Sequence, residues 1–245
     1  MLALLLLVTA ASHKEAKSHW RFDTAQGPVH VFRPAGYERD KGGVVIYVHG
    51  LYNNVDSAWE SHELAAQFQE SNRNAIFIAP EAPVAGGEPT RWNVLQDLLA
   101  AVHALLPTLE LKAGPLIAMG HSGAYRTIGN WLADPDLREI VLVDGLYGLE
   151  EEYARWLASD TSHRMVMTVL TTTKWSTPFV ARFPDSVRLE YIPKWTWPEE
   201  AKQARLVHIW SNKFGHMEQV TEKTTIPLLL RLTTLKRRWE PSGNP

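Results

Sequence analysis

Apolar positions along the chain follow two rhythms. Short, nearly continuous apolar runs occupy residues 43–49, 74–79, 115–119, 139–143, 165–170 and 206–210. Runs of this length, rich in β-branched residues, are expected of strands buried on both faces of a parallel sheet. Between them the spacing is helical. Trp59, Leu64, Ala65 and Phe68 recur along 57–71, which reads as one helix. Val94, Leu95, Leu98, Leu99, Val102, Leu105 and Leu106 form a stripe. Ala124, Ile128, Trp131 and Leu132 form another that stops near Asp134-Pro135. Residues 19–25 and 28–33 read as two strands around a turn at Gln26-Gly27, and a further strand is expected over 187–192. The stretch 175–197, with Trp175, Trp195 and several prolines, reads as irregular. There is no repeat, low-complexity tract or linker. The pattern predicts an α/β protein whose central sheet is mainly parallel, with helices on both faces.

Composition narrows the function classes. The 245 residues are 45% hydrophobic and 21% charged, an ordinary globular mix. With 25 Lys and Arg against 27 Asp and Glu, the net charge is −2, so no nucleic-acid partner is expected. Lys236, Arg237 and Arg238 read as a solvated tail. The absence of cysteine excludes disulfides, thiolate nucleophiles and Cys metal sites. The 10 histidines have no trusted metal-ligand spacing, so neither a metal nor a cofactor is expected. Residues 1–11 are an apolar run ending in small residues, without a preceding basic residue. They read as an export signal ahead of a single domain over 12–245, and the run is too short to span a bilayer.

The chemistry is concentrated in Met119-Gly120-His121-Ser122-Gly123-Ala124. A serine between a buried strand and the next helix sits on a sharp turn that exposes its hydroxyl. The residues two before and two after must be small, because strand and helix pass close there. Gly120 and Ala124 meet that need, giving G-x-S-x-A. Here the sequence resembles the α/β-hydrolase superfamily, specifically its esterase- and lipase-like serine hydrolases, over about residues 44–220. Alanine in place of the second glycine is a departure of one methyl group.

The resemblance implies the α/β-hydrolase fold and a set of roles. Ser122 is the expected nucleophile, and the Gly123 amide one oxyanion donor. His49-Gly50-Leu51-Tyr52 looks like the family's His-Gly oxyanion turn. Leu51 N–H is the expected second donor, with Tyr52 as the alternative, and His49 props the loop. His216, after the last strand, is the expected base. The acid usually follows the seventh strand, but here that strand runs into Thr171-Thr172-Thr173-Lys174-Trp175, which contains no carboxylate. Asp144, directly after the sixth strand, is therefore the expected acid, with Asp185 the second candidate. Tyr52, Glu81 and Trp175 are candidate substrate contacts. Arg126 and Tyr125 either brace the elbow or reach the pocket. Asn53, Asn54 and Asp56 are expected to cap the next helix. Residues 146–164 have room for one helix and no large lid domain.

Three functions fit. The first is a carboxylic ester hydrolase working through an acyl-enzyme, and the second an amidase or peptidase with the same triad. The third is a non-catalytic binding protein on the same fold. The substrate is expected to be a small molecule or, if the leader is an export signal, an ester or amide of the cell envelope.

Overall fold

The computed structural model describes residues 16–109, 111, 114–194 and 196–239. The expected leader, 1–11, and Trp195 lie outside the described residues. Nine strands form one sheet: β1 (Ser18–Thr24), β2 (Gly27–Arg33), β3 (Gly43–Val48), β4 (Ala75–Pro80), β5 (Leu116–His121), β6 (Leu137–Val143), β7 (Arg164–Val169), β8 (Val187–Leu189) and β9 (Leu206–Trp210). Their order is β1-β2-β4-β3-β5-β6-β7-β9-β8. The β1–β2 hairpin is antiparallel and joins β4 antiparallel; every other pair is parallel. The expected architecture is present, and among the described residues there is no large lid domain.

The continuous apolar runs are buried on both sides, and strand periodicity divides them between two cores. Val44, Ile46 and Val48 of β3 face one layer, and Val45 and Tyr47 face the other. The first layer is closed by α3 (Leu95–Leu105), α4 (Tyr125–Gly129), α5 (Glu150–Ser159) and α6 (Thr173–Ala181). The second is closed by α1 (Val55–Ser61), α2 (Leu64–Ser71), α7 (Glu199–Gln203), α8 (Glu218–Thr221) and α9 (Thr225–Leu232). Each fully buried Leu or Phe on these faces contributes about 1.5–3 kcal/mol.

Four expectations change. The helix expected over 57–71 is two helices, α1 and α2, broken where Glu63 takes a left-handed conformation (φ 46). The break lets the buried His62 ring reach the Tyr47 hydroxyl (3.2 Å), while the Gln67 amide donates to the His62 carbonyl (2.6 Å). The stretch over 175–197 is not all irregular. Burial of Ser176, Phe179 and Val180 holds α6 as a helix despite Pro178, and β8 covers only Val187–Leu189. Finally, Arg238 is not a solvated tail residue. It is 2% exposed and donates to the carbonyls of Ala35 and Gln69, anchoring the chain end beside α2.

Candidate active site

The loops that leave β3, β5, β6, β7 and β9 meet at the carboxyl edge of the sheet, where open α/β sheets bind ligands. Register sets their spacing. His121 of β5 pairs with Val143 of β6, and Val143 with Thr168 of β7, so Ser122, Asp144 and the 170–172 turn emerge side by side. Ser122 and Asp144 both take left-handed backbone conformations (φ 53 and 42). Such a conformation costs a non-glycine residue about 1–3 kcal/mol and is held by its surroundings.

The elbow around Ser122 is packed to contact. A methyl group on Gly120 would stand 2.6 Å from Ala124 Cβ and 2.6 Å from Ile128 Cδ1. Strand and helix therefore cross too closely for any side chain at 120. One on Gly123 would meet Leu51 Cγ at 2.4 Å, so the β3 loop and the elbow touch directly.

Asp144 is fully buried and saturated with donors. Its Oδ1 accepts from the amides of Leu170 (2.9 Å), Thr171 (3.0 Å) and Thr172 (3.2 Å), and from the Thr172 hydroxyl (2.9 Å). Its Oδ2 accepts from Thr171 Oγ1 (2.7 Å) and from His216 Nδ1 (2.7 Å). Burial alone would raise its pKa. The hydrogen bonds from His216, Leu170 and Thr171 outweigh that and hold the carboxyl well below its ordinary range. The acid-free segment after β7 is thus the cradle of a carboxylate delivered by β6.

His216 Nδ1 is engaged by Asp144, which leaves Nε2 for the cleft. His121, buried beside it, has its ring centroid 4.5 Å from that of His216 and donates from Nε2 to the His216 carbonyl (3.1 Å). Burial, with the neighbouring His216, pushes the His121 pKa down to about 3, so it is a neutral brace. Tyr147 packs edge-on to His216 (6.2 Å) and against Trp175 (5.3 Å). Burial, reinforced by the Asp144 charge and only partly offset by the hydrogen bond with Thr171, raises the Tyr147 phenol above its usual value. Sequence reasoning missed both residues. The His121 signal was its place inside the elbow motif; Tyr147 had none beyond proximity to Asp144.

A cleft of about 510 Å³ opens over these groups, lined among others by Leu51, Tyr52, Ser122, Tyr147, His216 and Met217. The structure brings Ser122, His216, Leu51, Gly123 and Tyr52 together there, with Asp144 beneath His216. The Tyr52 amide donates to the Val84 carbonyl (2.6 Å), so it is not available as the alternative oxyanion donor; its side chain is 87% exposed at the rim. Three candidates lie elsewhere. Asp185 lines a separate cavity with Phe183, Val187 and Arg205. Trp175 reaches the cleft only by packing on Tyr147. Glu81 is buried against the 49–52 turn and does not line the cleft. It meets His49 Nε2 at 2.6 Å, while His49 Nδ1 donates to the Gly50 carbonyl (2.8 Å). This pair fixes the Gly50 peptide that precedes Leu51.

Outside the cleft, Arg126 braces the elbow. It donates to the carbonyls of Gly86 (2.9 Å) and Glu88 (2.7 Å) and leaves the pocket to Tyr125. Asn54 caps α1 through Ser57 N (2.9 Å), whereas Asp56 binds Arg21 (2.7 Å) and His30 (2.7 Å). Among the described residues no group of three or more His, Asp or Glu side chains converges as a metal site, and no helix is long and apolar enough to cross a membrane.

No protein-family pattern matches the sequence, and no curated protein matches it. Solved structures do match in fold. The chain is similar to the feruloyl esterase module from Clostridium thermocellum at 10% identity, with 90% of this chain and 89% of that chain covered and a TM-score of 0.58. It is similar to an S-formylglutathione hydrolase from Agrobacterium tumefaciens at 9% identity, with 93% and 98% covered and a TM-score of 0.57. A fluorophosphonate-binding serine hydrolase of Staphylococcus aureus aligns at 10% identity, over 89% and 98%, with a TM-score of 0.56.

Proposed function

We propose that this chain, which has the α/β-hydrolase fold, is a serine hydrolase that cleaves carboxylic esters through an acyl-enzyme. The observation that carries the reading is the 2.7 Å contact of His216 Nδ1 with a buried, donor-saturated Asp144, set in one cleft with an elbow serine. Structural neighbours named as esterases and hydrolases support the ester assignment.

In this reading His216 Nε2 takes the Ser122 proton as Oγ attacks the substrate carbonyl carbon. The charge that develops on the carbonyl oxygen is met by the Leu51 and Gly123 amides. Asp144 holds the imidazole in the tautomer with its proton on Nδ1 and stabilises the imidazolium. Collapse breaks the ester C–O bond, and the leaving alkoxide takes the proton from His216. A water, deprotonated by His216, then attacks the acyl carbon, releasing the acid and restoring Ser122. Export through the 1–11 leader belongs to the same proposal, and sequencing the N-terminus of the mature protein tests it.

The deciding experiment is labelling with a fluorophosphonate. Wild type is expected to react and Ser122→Ala not to react; a folded wild type that stays unlabelled refutes the reading. A panel of p-nitrophenyl esters run against aminoacyl anilides then separates ester from amide cleavage.

A further inference from the structure

Apart from the contact between their side chains, Asp144 and His216 are connected a second way, through their backbones. The Asp144 amide donates to Thr168 Oγ1 (3.0 Å) as well as to the Thr168 carbonyl (3.1 Å). The Thr168 hydroxyl lies 2.5 Å from Gln219 Oε1. Both side chains are fully buried, Thr168 on β7 and Gln219 in α8, and neither lines the cleft.

Proton counting fixes the direction of each bond. Thr168 Oγ1 accepts the Asp144 amide proton and has one proton of its own, which goes to the Gln219 carbonyl oxygen. From Gln219 the connection continues along the main chain. The Gln219 amide donates to the Gly215 carbonyl (3.1 Å), and the Gly215 amide donates to Glu218 Oε2 (2.8 Å). The two peptide groups flanking Gly215 are thus tied to the start of α8, and His216 follows directly.

We propose that Thr168 and Gln219 form a buried brace that fixes where His216 stands relative to Asp144, and that both are positioning residues for the triad. The inference rests on the serine-hydrolase reading above. Asp144 needs such a brace, because its left-handed backbone (φ 42) persists only where the surroundings over-determine it. His216 needs one because it stands in the loop between β9 and α8, and a loop residue is only as well placed as the scaffold that holds it. No group of the brace meets the substrate or changes protonation during turnover.

Positioning and packing can be told apart here. Truncating one partner leaves the other buried without its hydrogen bond, which destabilises the fold. Replacing both by apolar groups of similar shape removes that penalty. The Asp144 amide keeps the Thr168 carbonyl in every case, and Gln219 Nε2 makes no hydrogen bond of its own, so Gln219→Met forfeits only the Thr168 bond of that side chain. Val at 168 together with Met at 219 therefore recovers stability while leaving Asp144 and His216 unlinked. A bridge that served folding alone would regain activity along with stability. A positioning bridge regains stability and not activity.

The test compares wild type with Thr168→Val, Thr168→Ser, Gln219→Met and the double variant Thr168→Val/Gln219→Met. Urea unfolding gives stability, p-nitrophenyl butyrate gives kcat and KM under conditions where each protein is folded, and fluorophosphonate gives labelling rates. Each apolar single variant is expected to lose about tenfold in kcat and in labelling rate, with KM within about twofold, the signature of a reacting pair held slightly out of place. Thr168→Ser, which keeps the hydroxyl, retains the wild-type kcat. The double variant is expected to unfold closer to wild type than either single, with kcat no lower than the worse single, because both substitutions cut the same bridge. Wild-type kcat in the double variant, or in both folded singles, overturns the brace and leaves the triad standing when wild type is labelled. Should the double variant not fold, Thr168→Val against Thr168→Ser decides: equal kcat and equal labelling rates overturn the brace. An unlabelled, folded wild type removes the hydrolase reading and the brace with it.

Discussion

Asp144→Asn is the sharpest perturbation of this site, because the amide is nearly isosteric and the surroundings dictate how it must sit. Oδ1 faces three backbone amides, those of Leu170, Thr171 and Thr172, and none of them can rotate away. The new NH2 is therefore driven to the Oδ2 side, where only the Thr171 amide it shares with Oδ1 (3.2 Å) is fixed, and where it meets the Thr171 hydroxyl and His216 Nδ1. Thr171 can turn its proton elsewhere, but His216 can adapt only by carrying its proton on Nε2 and accepting at Nδ1. That tautomer presents N–H to Ser122 and cannot take its proton. Recovering the active tautomer puts donor against donor in a buried site. A penalty of about 4–5 kcal/mol corresponds to roughly a thousand- to ten-thousand-fold in kcat, the scale known for a triad locked in the wrong tautomer. Loss of charge-assisted bonds should also lower unfolding stability by roughly 2–4 kcal/mol. The sign of the pH dependence is fixed too. The folded carboxyl ionises well below its ordinary range, so the wild type holds this contribution above about pH 4 and loses it as pH falls further. The variant lacks that slope. Ester turnover from pH 6 to 9 and urea unfolding from pH 3 to 7 measure both effects. A folded Asp144→Asn protein within tenfold of wild-type kcat would refute the assignment of the acid and the tautomer argument together.

Two further outcomes follow from packing and burial. Gly123→Ala places a methyl group 2.4 Å from Leu51 Cγ, which must displace the loop carrying the proposed oxyanion amide. Ester kcat/KM is expected to fall about ten- to hundredfold, while thermal unfolding shifts by only a few degrees; unchanged kinetics would separate Leu51 from the chemistry. His121 stays neutral in the fold because burial, then His216, holds its pKa down at about 3, whereas the unfolded chain protonates it near pH 6.5. Stability should therefore decline between about pH 6.5 and pH 3, with a slope from this group of up to about 1.4 kcal/mol per pH unit. In His121→Gln, urea unfolding across that range should show a shallower decline than wild type, and parallel curves would contradict the buried-neutral assignment.

What was legible in the sequence, and what was not, divides along the range of the signal. Ser122, Asp144 and His216 could be singled out because each directly follows or closely trails a strand whose apolar run is local, and a strand end in a parallel sheet is where a functional group emerges. Helix boundaries failed where a distant partner decided them. Nothing near His62 and Glu63 breaks a helix in sequence terms; the break is held by Tyr47, which meets the His62 ring, and Gln67, which binds its carbonyl. Glu81 also sits at a strand end and was read by the same rule as a substrate contact. Its carboxylate turns inward to His49, a partner distant in the chain.

The most instructive segment is Thr171-Thr172. Its lack of a carboxylate directs attention to Asp144. Its function as a donor cradle exists only once the β6–β7 register brings it beside an acid from another strand. A carboxylate buried at this point stays charged only if the neighbouring turn supplies donors, since an unpaired buried carboxylate would take up a proton instead. The threonines are therefore the donors that keep the buried Asp144 carboxylate ionised. Both hydroxyls bind Asp144, and that of Thr171 is linked onward to Tyr147.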